Sequence, residues 1–170
     1  MPQFRRLYIQ GGTYFFTLVT YLRRPIMLVP TFRAALRSAV LEVKSAYPFV
    51  DLAWVLLPDH MHTVWRLPPE DCDFPKRIGL LKRKTSIQVA SALQREDLLT
   101  RSRTKRHELT IWQRRYWERW IRDEEALRQI INYIHRNPVK HGLVDKVSEW
   151  PFSTFDRYVG AGYYTKDWNG

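Results

Sequence analysis

The sequence predicts an α+β fold: an antiparallel sheet in the ferredoxin-like order β-α-β-β-α-β, with helices packed on one face. Three observations predict it. The segment from Thr13 to Leu22 is dense in aromatic and β-branched residues, as a strand requires. The stretches Phe49 to Leu57 and His60 to Leu67 are apolar and separated only by Pro58-Asp59, so they form an antiparallel hairpin. Two further segments repeat apolar residues at helical spacing, one before that hairpin and one after it.

Taken in order, Gly11-Gly12 is a turn signal ahead of the first strand. Pro30-Thr31 opens the first helix, with Thr31 as its N-cap. Phe32, Ala35, Leu36, Ala39, Val40 and Val43 form its apolar stripe, and Pro48 stops it. A second helix runs from Phe74 to Leu93, with Ile78, Leu81, Val89 and Ala92 inward and Arg77, Lys84, Gln88 and Arg95 on an outer face. Glu96 to Glu108 is polar and reads as a mobile basic loop carrying Arg101, Arg103, Lys105 and Arg106. Thr110 to Ile121 reads as another strand. Asp123-Glu124-Glu125 then starts a helix, because acidic groups suit its N-terminal dipole. Leu127, Ile130, Ile131 and Ile134 are its buried stripe, and Pro138 and Gly142 end it. There is no internal repeat, and residues 1–170 are expected to form one domain, with 145–170 as an aromatic C-terminal tail. Covering the core is the expected role of that tail; stacking unpaired bases is the other.

Composition narrows the function. Lys and Arg number 28 against 17 Asp and Glu, a net charge of +11 that favours a polyanionic partner. The competing reading is a solvated basic surface with no such partner. Cys72 is the only cysteine, which excludes an internal disulfide and a Cys-rich zinc ribbon and fits a reducing cytoplasm. No signal-peptide core follows Arg5 and Arg6, and no apolar run approaches the ~20 residues of a membrane span. A cytoplasmic, nucleoid-associated protein with no membrane partner is expected.

The chemistry centres on His60-Met61-His62. On a strand the two imidazoles share one face and Met61 takes the other, which makes half of a divalent-metal site. A core histidine beside an accidental second would look the same, and a third ligand must come from elsewhere. The Asp-His extension of metallo-β-lactamase-like zinc sites is missing, since Thr63-Val64 follows. The His-x-Glu and paired cysteines of zinc deaminases are missing too. Downstream, Tyr133 and Asn137 lie one helical turn apart and share a face at the edge of the apolar stripe. A carboxamide oxygen suits Mg²⁺ or Mn²⁺. His135, Arg136, Lys140 and His141 make the neighbourhood friendly to anions. The plainer alternative is a packing tyrosine and an asparagine that caps a helix.

The segments Pro58-Asp59-His60-Met61-His62 and Tyr133-Ile134-His135-Arg136-Asn137-Pro138-Val139-Lys140-His141-Gly142-Leu143-Val144 resemble the single-tyrosine HUH transposases, in the branch of the REP-associated tyrosine transposases. The runs from Arg5 to Thr17, Trp117-Glu118 and Trp150 to Phe155 look like the same branch. The resemblance implies a ferredoxin-like fold with the histidine pair on a central strand and the tyrosine on a helix. It implies metal binding by His60 and His62, Asn137 as third ligand, and Tyr133 as the nucleophile. The implied reaction is metal-dependent nicking and joining of single-stranded DNA through a 5′-phosphotyrosine, on palindromic repeat hairpins, by a monomer or homodimer. Arg77, Lys84, Arg101, Arg103, Lys105, Arg106, Arg136 and Lys140 are the candidate DNA contacts. A hairpin-binding protein without cleavage and a metallohydrolase of small phosphodiesters are the alternatives.

Overall fold

The computed structural model describes residues 6–170; Arg5, at the head of one run quoted above, lies outside the described residues. Four strands, β1 (Thr13–Val19), β2 (Val50–Leu56), β3 (His60–Arg66) and β4 (Trp117–Ile121), form one antiparallel sheet in the order β2-β3-β1-β4. The helices are α1 (Pro30–Ala46), α2 (Phe74–Leu93), α3 (Arg101–Lys105), α4 (Glu124–Lys140) and α5 (Phe155–Gly160). The α+β class and the strand-helix order are as predicted.

The helices divide between the two faces. Tyr14, Phe16 and Leu18 of β1 join Met61 and Trp65 of β3 under α1 and α2, so the helices of the β-α-β-β-α-β unit do share a face. Phe15, Val55 and Val64 turn the other way and meet Leu127, Ile131 and Ile134 of α4. A further helix, α4, follows the unit and covers the sheet from behind. With both faces covered, the run from His60 to Trp65 is buried at every position.

Local details depart from expectation for identifiable reasons. Thr31 is not the cap of α1: Pro30 occupies the first helical turn and Val29 precedes it without a side-chain hydrogen bond. Ala92 is exposed, in the last turn of α2. The 96–108 segment is not a bare loop, since α3 forms there with Thr100 capping the Arg103 N–H. The last strand is only Trp117–Ile121; Ile111 and Trp112 are buried outside it, and Trp112 bridges to Thr20. Asp123 caps α4 as its acidic start suggests, accepting from the Ala126 N–H at 2.8 Å. Pro138 does not end α4; the helix runs on to Lys140 and stops at Gly142, whose φ of 67° is the left-handed turn glycine allows.

The C-terminal segment closes the sheet. Residues near 152–154 lie along the outer edge of β2, with the Leu56 N–H bonding the Phe152 carbonyl at 2.8 Å and the Thr154 N–H bonding the Trp54 carbonyl at 3.0 Å. Phe155, Tyr158, Tyr164 and Trp168 stack on one another and around His135 of α4. His135 is fully buried, with Nε2 at 2.9 Å from Thr154 Oγ1 and Nδ1 at 3.3 Å from Tyr164 Oη. Burial, helped by the Arg157 charge, pushes this imidazole down to about 4.

The folded state thus refuses a proton that the unfolded chain accepts below pH 6.5. Stability is whole above that pH and declines as pH falls toward 4, by about 3 kcal/mol from His135 alone. Urea titrations at pH 7 and pH 4.5 should show this loss, with a shallower loss in His135→Gln; equal losses in both proteins would contradict the role given to His135.

Candidate active site

Alternation along β3 aims His60 and His62 at the face that α4 covers. Their ring centroids are 5.0 Å apart. Tyr133, Asn137 and His141 recur every fourth residue of α4 and its cap, hence on one side of the helix. The first of them touches His62 (centroids 5.5 Å) and the last touches His60 (5.4 Å), so the middle one faces the pair. Tyr133 remains 39% exposed, with its ring edge on Phe15. Asn137 is completely buried, and among the described residues neither its Oδ1 nor its Nδ2 has a hydrogen-bond partner. Each such orphan costs about 1–3 kcal/mol unless a ligand satisfies it.

Both imidazoles are held by their Nδ1 atoms. His60 Nδ1 lies 2.6 Å from Asp59 Oδ1, and Arg23 Nη1 donates to the other Asp59 oxygen at 2.9 Å. Burial alone would raise the Asp59 carboxyl, but the bonds from His60 and Arg23 hold it below its ordinary range. His62 Nδ1 lies 2.9 Å from Thr17 Oγ1, and its ring stacks on Phe15 at 5.1 Å. Each ring therefore keeps Nε2 for a ligand. Burial first, then the charges of His60, His141 and Lys140, push His62 down to about 3, so it is a neutral donor at physiological pH. Lys140 Nζ stands 5.1 Å from the Tyr133 ring centroid.

Among the described residues, no three His, Cys, Asp or Glu side chains converge on one point. A three-donor metal site on this face needs a neutral oxygen, and the orphaned Asn137 carboxamide is the group that fits. Two imidazole nitrogens and one amide oxygen add no carboxylate to the donor set, which would leave the charge of a divalent cation available to a phosphate.

The predicted DNA contacts fall into two groups. Arg77 is 1% exposed and its five N–H groups are spent internally: on Asp71 (2.6 and 3.1 Å) and on the carbonyls of Tyr47, Pro48 and Asp73. It ties α2 to the end of α1 and leaves nothing for DNA. Arg103 is also buried, bonding the Leu109 and Trp112 carbonyls with its guanidinium 3.6 Å over the Tyr21 ring. Both expectations are corrected: helical spacing marked Arg77 as outward and a polar loop was read around Arg103, but buried backbone carbonyls claim both. Lys84 is engaged by Glu42 at 2.5 Å. Arg101, Lys105, Arg106, Arg136 and Lys140 are exposed.

Sequence reasoning passed over Asp59, Thr17, Arg23 and Phe15. Asp59 stood in view beside His60, and an acidic residue adjoining a candidate ligand is a usable signal. Thr17, 45 positions from His62, and Phe15 reach that ring only through strand pairing, which no local pattern reports.

Comparison with known proteins places this geometry. The family model described as "Transposase IS200 like" matches residues 9–137. The chain is 42% identical over all of its 170 residues to the REP-associated tyrosine transposase of Escherichia coli (strain K12), covering 92% of that protein. It is 39% identical, again over its full length and 94% of the relative, to a protein of Haemophilus influenzae (strain Rd) described as a REP-associated tyrosine transposase in prospect only. A solved REP-associated tyrosine transposase bound to a REP hairpin superposes with a TM-score of 0.83 at 42% identity, covering 100% of this chain and 92% of that one.

The division of the arginines is testable. Arg77→Met should cost about 3 kcal/mol in urea unfolding, because it strands a carboxylate and three carbonyls. Lys84→Met should cost under about 1 kcal/mol. Similar values for the two would contradict the assignment.

Proposed function

The chain belongs to the IS200-like transposase family, among the REP-associated tyrosine transposases, and from that premise we propose that Tyr133 is the nucleophile of a DNA nicking and joining reaction on palindromic repeat hairpins. One observation carries the proposal: an exposed phenol held 5.5 Å, ring to ring, from one of two paired imidazoles, beside a buried carboxamide that has no partner among the described residues.

His60 and His62 through Nε2, with Asn137 through Oδ1, would hold Mg²⁺ or Mn²⁺. When bound, such a cation supplies Lewis-acid neutralisation at the non-bridging oxygens of a phosphate. The protein's own groups do the rest. Asp59 and Thr17 fix the two ring orientations. The α4 scaffold sets Tyr133 beside the pair, where its Oη can attack phosphorus in line with the leaving 3′-oxygen. The phosphorus–O3′ bond breaks as the phosphorus–Oη bond forms, leaving a 5′-phosphotyrosine and a free 3′-hydroxyl. That hydroxyl, or another like it, can attack the intermediate and rejoin the strand, so no nucleotide cofactor is consumed. Lys140, beside the Tyr133 ring, meets the charge of the approaching phosphate.

Exposed Arg101 and Lys105 on α3, Arg106 at its cap, Arg136 and Lys140 on α4, and the half-buried Lys84 on α2, which would have to leave Glu42, are the proposed phosphate contacts of the flanking strand. The substrate class follows from the hairpin-bound structure at 42% identity. Among the described residues no helix is long and apolar enough to cross a membrane. The proposed setting is the cytoplasm, at the nucleoid, as a monomer or homodimer.

Incubation with Mn²⁺ and an end-labelled hairpin carrying single-stranded flanks should yield a protein-linked band on a denaturing gel. Tyr133→Phe should abolish the band while hairpin affinity stays within about twofold. Cleavage that survives Tyr133→Phe would indicate hydrolysis by another nucleophile, and binding without any cleavage would indicate a hairpin-binding module. Asp59→Asn should weaken Mn²⁺ binding by about 10–100-fold, read by electron paramagnetic resonance of free Mn²⁺. Unchanged metal affinity would show that the carboxylate does not orient His60 as a ligand.

A further inference from the structure

Between β1 and α1 the backbone makes a costly turn. Leu22 (φ 54°, ψ 27°) and Arg23 (φ 52°) both adopt left-handed conformations, which L-residues with full side chains disfavour. The flanks enforce the shape. The Tyr21 N–H bonds the Ile111 carbonyl at 2.9 Å, and the Thr20 hydroxyl donates to the Arg24 carbonyl at 2.7 Å. Arg24 reaches the Thr110 and Leu93 carbonyls at 2.9 and 2.8 Å. Held this way, the turn presents two side chains outward. Leu22 is 60% exposed, although nothing in the fold gains from a leucine in water. The Arg23 side chain is 64% exposed, and its one hydrogen bond among the described residues goes to Asp59, the carboxylate that holds His60. Its remaining N–H groups, without a partner among the described residues, stand at the rim of the histidine pair.

We propose that Leu22-Arg23 is a nucleotide-binding pin: Arg23 grips the phosphate next to the scissile one, and Leu22 packs against the unpaired base that this nucleotide carries. This deepens the function proposed above and rests on it. A guanidinium fork matches a phosphodiester, and an apolar side chain fixed on a rigid turn gives the adjoining base a face to lie on. A flexible glycine turn could not hold either group in register with the histidines, which is a physical reason for strain at this position. Because Arg23 shares Asp59 with His60, the pin and the catalytic pair are set by one carboxylate.

Binding in EDTA separates this idea from cleavage, since a disturbed His60 cannot then mimic the effect. The probes are a REP-type hairpin with a single-stranded extension and the same hairpin cut blunt. Wild-type protein should prefer the extended form by about tenfold or more. Leu22→Gly and Arg23→Gln should each lose most of that preference, with blunt-hairpin affinity within about twofold of wild type. Leu22→Gly should melt no lower than wild type, because glycine takes a positive φ freely. Preserved preference in both variants, no preference in the wild type, or a clear fall in the Leu22→Gly melting temperature would each overturn the pin. Absence of a Tyr133-dependent adduct, with the preference and its loss both present, would overturn the proposed chemistry and leave the pin standing.

Discussion

Everything in the site depends on the pleat of β3. Two imidazoles one residue apart are locked to the same side of a strand that is hydrogen-bonded on both edges, by β1 and by β2. A central strand cannot twist one ring away without breaking the ladders that flank it. The pair is thereby pre-oriented before any ligand arrives, which is where a reaction of this kind gains most from its protein. Covering that face with α4 then brings Tyr133, Asn137 and His141 against the pair, at the spacing of one helical turn.

The electrostatics of this pocket are unusual for a chain with a net charge of +11. The groups closest to the candidate metal position are a desolvated, neutral His62, a second imidazole bonded to Asp59, and an amide. The cationic groups, Lys140 and Arg23, stand at the rim. In the proposed reaction this arrangement would keep a divalent cation from being crowded by carboxylates while meeting the incoming polyanion with positive charge. It also explains why Asn137 can stay buried with two unsatisfied polar atoms. Its stability cost is tolerable if the helix face is made to receive a ligand, as strained or unsatisfied groups at functional sites commonly are.

Arginine has two roles in this fold, and burial separates them. Arg77 and Arg103 act as struts whose guanidiniums collect backbone carbonyls where chain segments meet without regular structure. Each satisfies acceptors that no strand or helix reaches, which is the task a five-donor planar group performs well. Exposed Arg101 and Lys105 of α3 and Arg136 and Lys140 of α4 hold no such cluster of carbonyls and are the ones proposed to meet a nucleic acid. A count of basic residues cannot distinguish the two populations.

Periodicity and punctuation in the sequence determined the strand-helix order, the span of α2 and the start of α4, because these follow from local spacing, capping and turn chemistry. Alternation put His60 and His62 together, and helical spacing put Tyr133 with Asn137. Tertiary structure decided the remainder. That α4 covers the face opposite α1 and α2 depends on which side of the sheet was still open, and no local pattern encodes that. The burial of Arg77 and Arg103, the support of His62 by Thr17 and the continuation of α4 through Pro138 were likewise settled by partners distant in the chain or by packing around it. Short-range rules set where a side chain can point; only the assembled layers set what it meets there.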